Sequence, residues 1–144
     1  SRRRHVGAAP GPPPWRPALG MIVHIDTSAL VDALTGPRRS LPRLIALVSE
    51  GHRIALSSLV YYEWTRGPRT EPELAAQEAL LPRESLVPFT GHEAALAAGL
   101  YKKVRRPRGR ELDLAIAACA LAQDAALWTL NPPDFRDMPG LRLV

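Results

Sequence analysis

The sequence predicts an α/β fold, a three-layer α/β/α sandwich around a mostly parallel sheet of four or five strands. Two observations carry that expectation. Short, branched apolar runs alternate with helical stripes from one end of the chain to the other, without an internal repeat. Acids and hydroxyls also stand where a strand gives way to a helix, which places them at the carboxyl edge of a parallel sheet, where open α/β folds bind their ligands.

Taken in order, residues 1–20 show neither periodicity and are rich in proline and arginine, so they predict a flexible basic arm or an upstream extension, with the domain spanning 21–144. Met21–Ile25 is a short apolar run, a buried parallel strand, with His24 inside it as a hydrogen-bonded core residue. Asp26-Thr27-Ser28 then breaks the pattern, and a helix begins that Thr27 or Ser28 can cap. Gly36-Pro37 ends it. Leu41 to Ser49 carries a helical stripe, Arg53 to Ser57 is the second strand, and Ser58 opens a helix that Gly67-Pro68 terminates. Glu63 therefore lies about one and a half turns into a helix that follows a strand. Glu71 to Leu81 reads as a helix and Ser85 to Phe89 as a third strand. Thr90 with Glu93 makes a capping box for the helix that runs through Leu96 and Leu100 to Val104, which gives Glu93 a structural role. Asp113 opens a helix of small residues that reaches Ala122 and is smooth enough to pack closely on a sheet. Ala126–Leu130 is the fourth strand, Asn131 to Phe135 the loop at its carboxyl edge, and Leu141–Val144 a fifth strand.

A chain of 144 residues supports one sizeable core, and 46% hydrophobic content is ordinary for a globular protein. No apolar window reaches the length of a membrane span. A single cysteine, Cys119, excludes an internal disulfide and a cysteine zinc cluster, and its place in the small-residue helix marks it as a buried small hydrophobe. The net charge of +5 owes much to Arg2, Arg3, Arg4 and Arg16, all before Met21. A second concentration matters more. Lys102, Lys103, Arg105, Arg106, Arg108 and Arg110 can attract a phosphate backbone, and they lead straight into Glu111 and Asp113, whose negative charge they would help hold together.

Asp26, Glu63, Asp113 and Asp134 or Asn131 are each open to a bland reading as a cap or a surface acid. Together, all fall on one side of the predicted sheet. Such carboxylates repel one another unless a cation lies between them, and a set made only of oxygen ligands selects Mg²⁺ or Mn²⁺ over zinc. Hydrolysis of a phosphodiester by a metal-activated water follows, with the basic stretch holding nucleic acid across the site. A nucleotide-binding or Rossmann protein would need a glycine-rich loop after a strand, and Asp26-Thr27-Ser28 is not one.

Ile25-Asp26-Thr27-Ser28-Ala29-Leu30, Glu63 with Gly67, Asp113-Leu114-Ala115-Ile116-Ala117-Ala118, and Thr129-x-Asn131-x-x-Asp134-Phe135 together resemble the PIN domain, and within it the VapC-type ribonuclease toxins of prokaryotic toxin–antitoxin pairs. The resemblance covers Met21 to Val144. It implies a cytoplasmic, homodimeric, Mg²⁺- or Mn²⁺-dependent endoribonuclease held inactive by a cognate antitoxin. It also implies catalytic, metal-binding roles for Asp26, Glu63, Asp113 and Asp134, with Asn131, Glu111, Thr27 and Ser28 as accessory positions. Tyr61, Tyr62, Trp64, Leu96 and Leu100 are the expected contact surface for a second copy or an antitoxin. The rival within the same fold is a module that binds RNA or partners without cutting.

Overall fold

The computed structural model describes residues 20–144, so the predicted arm, apart from Gly20, lies outside the described residues. β1 (Ile22–Ile25) leads into α1 (Thr27–Leu34) and α2 (Leu41–Ser49), then β2 (Arg53–Ala55), α3 (Ser58–Arg66) and α4 (Glu71–Leu80). α5 (Gly91–Lys103) and α6 (Glu111–Ala122) follow, then β3 (Ala126–Trp128), a 3₁₀ turn at Pro132–Asp134, and β4 (Arg142–Leu143). The strands form one sheet in the order β2-β1-β3-β4, parallel at every pairing. Val23 stands opposite Ile54 on one side and Ala126 on the other, and Ile25 opposite Trp128. This is the predicted α/β sandwich. Among the described residues no helix is long and apolar enough to cross a membrane.

β1 is central because its residues can be buried on both faces, and Val23, His24 and Ile25 are. His24 pairs through Nε2 with the Gln123 side chain at 2.6 Å, and burial holds its pKa below the ordinary histidine value, as fits a core residue. α6 is buried without a break from Leu114 to Ala120, which explains its alanines: a helix enclosed on all sides can approach its neighbours closely only if its side chains are small. Cys119 is fully buried there, and burial pushes its thiol up to about 11.

Several expectations need correcting. The predicted strand at Ser85–Phe89 is not one: Pro82 leads into a 3₁₀ turn at Arg83–Ser85, and only Val87 pairs, in a single parallel bridge to Ser57. Pro88 has no N–H with which to extend the ladder. The start of α1 is set by Asp26 in the N-cap position with extended backbone, and Thr27 and Ser28 are its first helical residues. In the proposed contact surface, Trp64 and Leu100 belong to the core, because Val60 and Trp64 lie one turn apart on the inward face of α3. Tyr62 is the member of that set with more than half its surface exposed.

The Thr90–Glu93 capping box forms as predicted, with the Thr90 N–H donating to the Glu93 carboxylate at 2.8 Å. It starts α5, and α5 packs along α6, the helix that carries Asp113.

Candidate active site

The parallel sheet brings four separated stretches of chain to one edge. Asp26 follows β1, α3 with Glu63 follows β2, and Thr129 and the Pro132–Asp134 turn follow β3. α6 runs back against the strands, so its first turn, with Asp113 as third residue, lies at the same edge.

Asp26 is buried, and its carboxylate is held rather than loose. Oδ2 accepts from the Thr129 hydroxyl at 2.8 Å and from the Ser28 hydroxyl at 3.0 Å. Those hydroxyls are fixed in turn, because Ser28 Oγ accepts from the Leu130 N–H and Thr129 Oγ1 from the Asn131 N–H, both at 3.0 Å. The Asp26 N–H also donates to the Trp128 carbonyl at 2.8 Å. Backbone and side chain of the first acid are thus tied to the end of β3, a stretch a hundred residues further along.

Glu63 is held from two sides. Thr27 Oγ1 donates to its Oε1 at 2.5 Å, and the Arg66 guanidinium lies 3.6 Å from its Oε2. Asp113 is half-buried, and its carboxyl is pushed up from the ordinary value of 3.8 to about 6, first by burial and then by the charges of Asp26, Asp134 and Glu63. Arg110 opposes the rise and does not cancel it. All three of the other predicted acids therefore act on this one carboxyl.

Asp134 is exposed in its 3₁₀ turn, and its N–H donates to the Asn131 carbonyl at 3.0 Å. Of the two candidates in this loop, the charge of Asp134 reaches Asp113, while the recorded hydrogen bonds of Asn131 are made by its backbone. Glu111, the first residue of α6, turns its carboxylate back to the Gly109 N–H at 2.9 Å and serves the loop. In the basic stretch Lys102, Lys103, Arg105, Arg106 and Arg108 are exposed, whereas Arg110 is occupied by Asp137 and by backbone carbonyls.

The roles of two contributors escape a reading of the sequence. Thr129 is noticed in the sequence only as part of the Thr129-x-Asn131-x-x-Asp134-Phe135 motif, and nothing local indicates that its hydroxyl orients Asp26. Arg66 looks like a helix-end cation, although its spacing of three from Glu63 is the signal that could have found it.

The donor set is wholly oxygen, and the acids around Asp113 carry more negative charge than the nearby cation offsets, which is the chemistry that Mg²⁺ or Mn²⁺ fits. As they are placed, however, no three His, Cys, Asp or Glu side chains among the described residues are gathered into a ready metal cage.

Comparison with known proteins identifies the fold and the family. The PIN domain family model matches residues 23–141. Ribonuclease VapC19 of Mycobacterium tuberculosis (strain H37Rv) is 37% identical over 120 residues, which cover 82% of this chain and 95% of the relative. Among solved structures, VapBC2 from Rickettsia felis bound to a promoter DNA fragment superimposes with a TM-score of 0.67 at 23% identity, covering 86% of this chain and 98% of that one. VapBC-1 from nontypeable Haemophilus influenzae does so with a TM-score of 0.62 at 25% identity, covering 86% and 97%. The family model spans most of the chain and the VapC19 match nearly the whole of that relative, so this chain belongs to the PIN domain family and, within it, to the VapC-type toxins.

Proposed function

We propose that the protein is a divalent-metal-dependent endoribonuclease, the toxin of a type II toxin–antitoxin pair, that acts in the cytoplasm on RNA and is restrained by a cognate antitoxin. The observation that supports this reading is that burial and the charges of Asp26, Asp134 and Glu63 together push the half-buried Asp113 carboxyl up, a strain of like charge that a divalent ion would relieve. The name of the 37% identical relative, Ribonuclease VapC19, supports it independently.

Asp26 and Asp113, with Glu63 and Asp134, would hold Mg²⁺ or Mn²⁺. When bound, such an ion lowers the pKa of a water and neutralises charge on the phosphate under attack. The chain itself supplies orientation. Thr129 and Ser28 fix the Asp26 carboxylate, and Thr27 and Arg66 fix that of Glu63. Exposed Lys102, Lys103, Arg105, Arg106 and Arg108 would hold the RNA backbone near the first turn of α6. The substrate strand is steered by charge and positioned by phosphate contacts, so its binding weakens as salt rises.

The test is cleavage of RNA by purified protein with Mg²⁺ or Mn²⁺, beside a chelator control. Asp26→Asn and Asp113→Asn should each lower the rate by at least about 10³-fold with the fold retained, since each removes a charge that the ion needs. Undiminished cleavage by both variants, or cleavage indifferent to chelator, would remove the site. A protein that binds RNA and never cuts it, under every metal tried, would establish the non-cutting module instead.

A further inference from the structure

Arg110 stands at the junction between two parts of the site. It is the N-cap residue of α6, three positions before Asp113, and its backbone carbonyl accepts from the Leu114 N–H at 2.9 Å. Its guanidinium reaches across to the loop after β3. Nη2 donates to Asp137 Oδ1 at 2.6 Å and Nη1 to Asp137 Oδ2 at 2.9 Å, a two-pronged pairing whose geometry a lysine cannot reproduce. Nη2 also donates to the Asp134 carbonyl at 2.9 Å, and Nη1 to the Arg105 carbonyl at 3.2 Å. Four acceptors on two segments, the loop after β3 and the stretch after α5, thus meet at one side chain.

The loop it grips is anchored on its other side by Phe135 and Met138, both buried in the core. Asp134 itself is exposed, and its own backbone bond within the turn does not reach α6. Among the described residues, the side-chain tie that joins the Asp134 turn to the start of α6 is Arg110.

We infer that Arg110 is a positioning residue of the nuclease site: with Asp137 it clamps the Asp134-bearing turn against the start of α6, so that Asp134 and Asp113 face the same ion. This inference rests on the proposed metal-dependent activity. It reassigns Arg110 from the phosphate-binding stretch, in which its spacing alone would place it, to the framework that aims the acids. The side chain of Asp137 is 45% exposed and that of Arg110 22%, so as a surface ion pair the contact adds little to stability, and its worth lies in geometry.

The experiment compares wild type, Arg110→Lys, Arg110→Gln, Asp137→Ala and the double variant Arg110→Gln/Asp137→Ala. It measures Mn²⁺ affinity by calorimetry, and kcat and KM for RNA cleavage, with circular dichroism to verify folding. A clamp predicts that Asp137→Ala and Arg110→Lys both weaken Mn²⁺ binding and lower kcat by about 10- to 100-fold. KM should stay within about twofold, and the double variant should be no worse than the single ones, because the two side chains act as a unit. A phosphate contact predicts the opposite: Arg110→Lys nearly silent, Arg110→Gln raising KM alone, and Asp137→Ala improving RNA binding by releasing the cation. Either that pattern or unchanged kcat and Mn²⁺ affinity in Asp137→Ala overturns the clamp while leaving the nuclease intact. A wild-type protein that neither binds Mn²⁺ nor cuts RNA overturns both. If Arg110→Gln fails to fold, Asp137→Ala decides, since it changes only an exposed carboxylate.

Discussion

A carboxyl whose charged form is disfavoured by burial and by three like charges is a liability for the folded chain. Asp113 is such a group, and the consequence has a sign. Its folded pKa, about 6, lies above its ordinary 3.8, so between those values the folded protein binds protons that the unfolded chain does not. The Asp113 contribution is therefore most favourable below about pH 4 and is lost as pH rises through 6. At full strength the shift corresponds to about 3 kcal/mol, but the group is only half-buried and solvent screening leaves ~1 kcal/mol. Asp113→Asn should accordingly raise the melting temperature of the metal-free protein at pH 7.5 by a few degrees, and this gain should vanish near pH 4, as scanning calorimetry would show. A variant less stable than wild type at pH 7.5 would mean that the carboxylate is compensated where it lies. The hydroxyls that donate to Asp26 give a second test at this scale. Thr129→Val keeps shape, removes the 2.8 Å donor and should cost about 1–3 kcal/mol in urea denaturation, with Thr129→Ser restoring most of it. Asp26, Glu63 and Asp113 stand out in the sequence because each interrupts or ends an apolar run, whereas Asp134 stands out only by its place in the loop after the fourth strand. The roles of Thr129 and of the Arg110–Asp137 pair do not, because their partners lie 103 and 27 residues away and only the folded chain brings them together.

At the scale of elements, the strongest signals were those with a local physical cause. β1, α3, the Thr90–Glu93 cap and the small-residue α6 each announce themselves by composition or spacing, and each forms. The segment at Ser85–Phe89 misled because its apolar content matches a strand while Pro82 and Pro88 take away the conformations and donors a ladder needs. α6 makes a prediction of its own. Ala117 and Ala118 have no exposed surface and sit in the helix that aims Asp113, so enlarging either should strain the packing. Ala118→Leu should cost about 1–3 kcal/mol in denaturant titration and reduce cleavage as Asp113 shifts. A variant with wild-type stability would show room beside α6 that close packing does not allow.

For the molecule as a whole, topology does the assembling. A sheet with order β2-β1-β3-β4, parallel throughout, sends the ends of β1, β2 and β3 to one edge, and α6 returns its first turn to the same place. The chain thereby sets the charges of Asp26, Asp134 and Glu63 against the half-buried Asp113 carboxyl, and Arg110 offsets them only in part. Binding of a divalent ion to the folded form alone should offset this, so saturating Mn²⁺ should raise the melting temperature of wild type and leave Asp113→Asn nearly unmoved. The most direct measurement is a crystal structure of the protein grown with Mn²⁺, read by anomalous scattering. The account predicts a Mn²⁺ ion bound by the carboxylates of Asp26 and Asp113, with Glu63 and Asp134 turned toward it. Asp26 and Asp113 pointing apart at saturating Mn²⁺, with no ion between them, would contradict it.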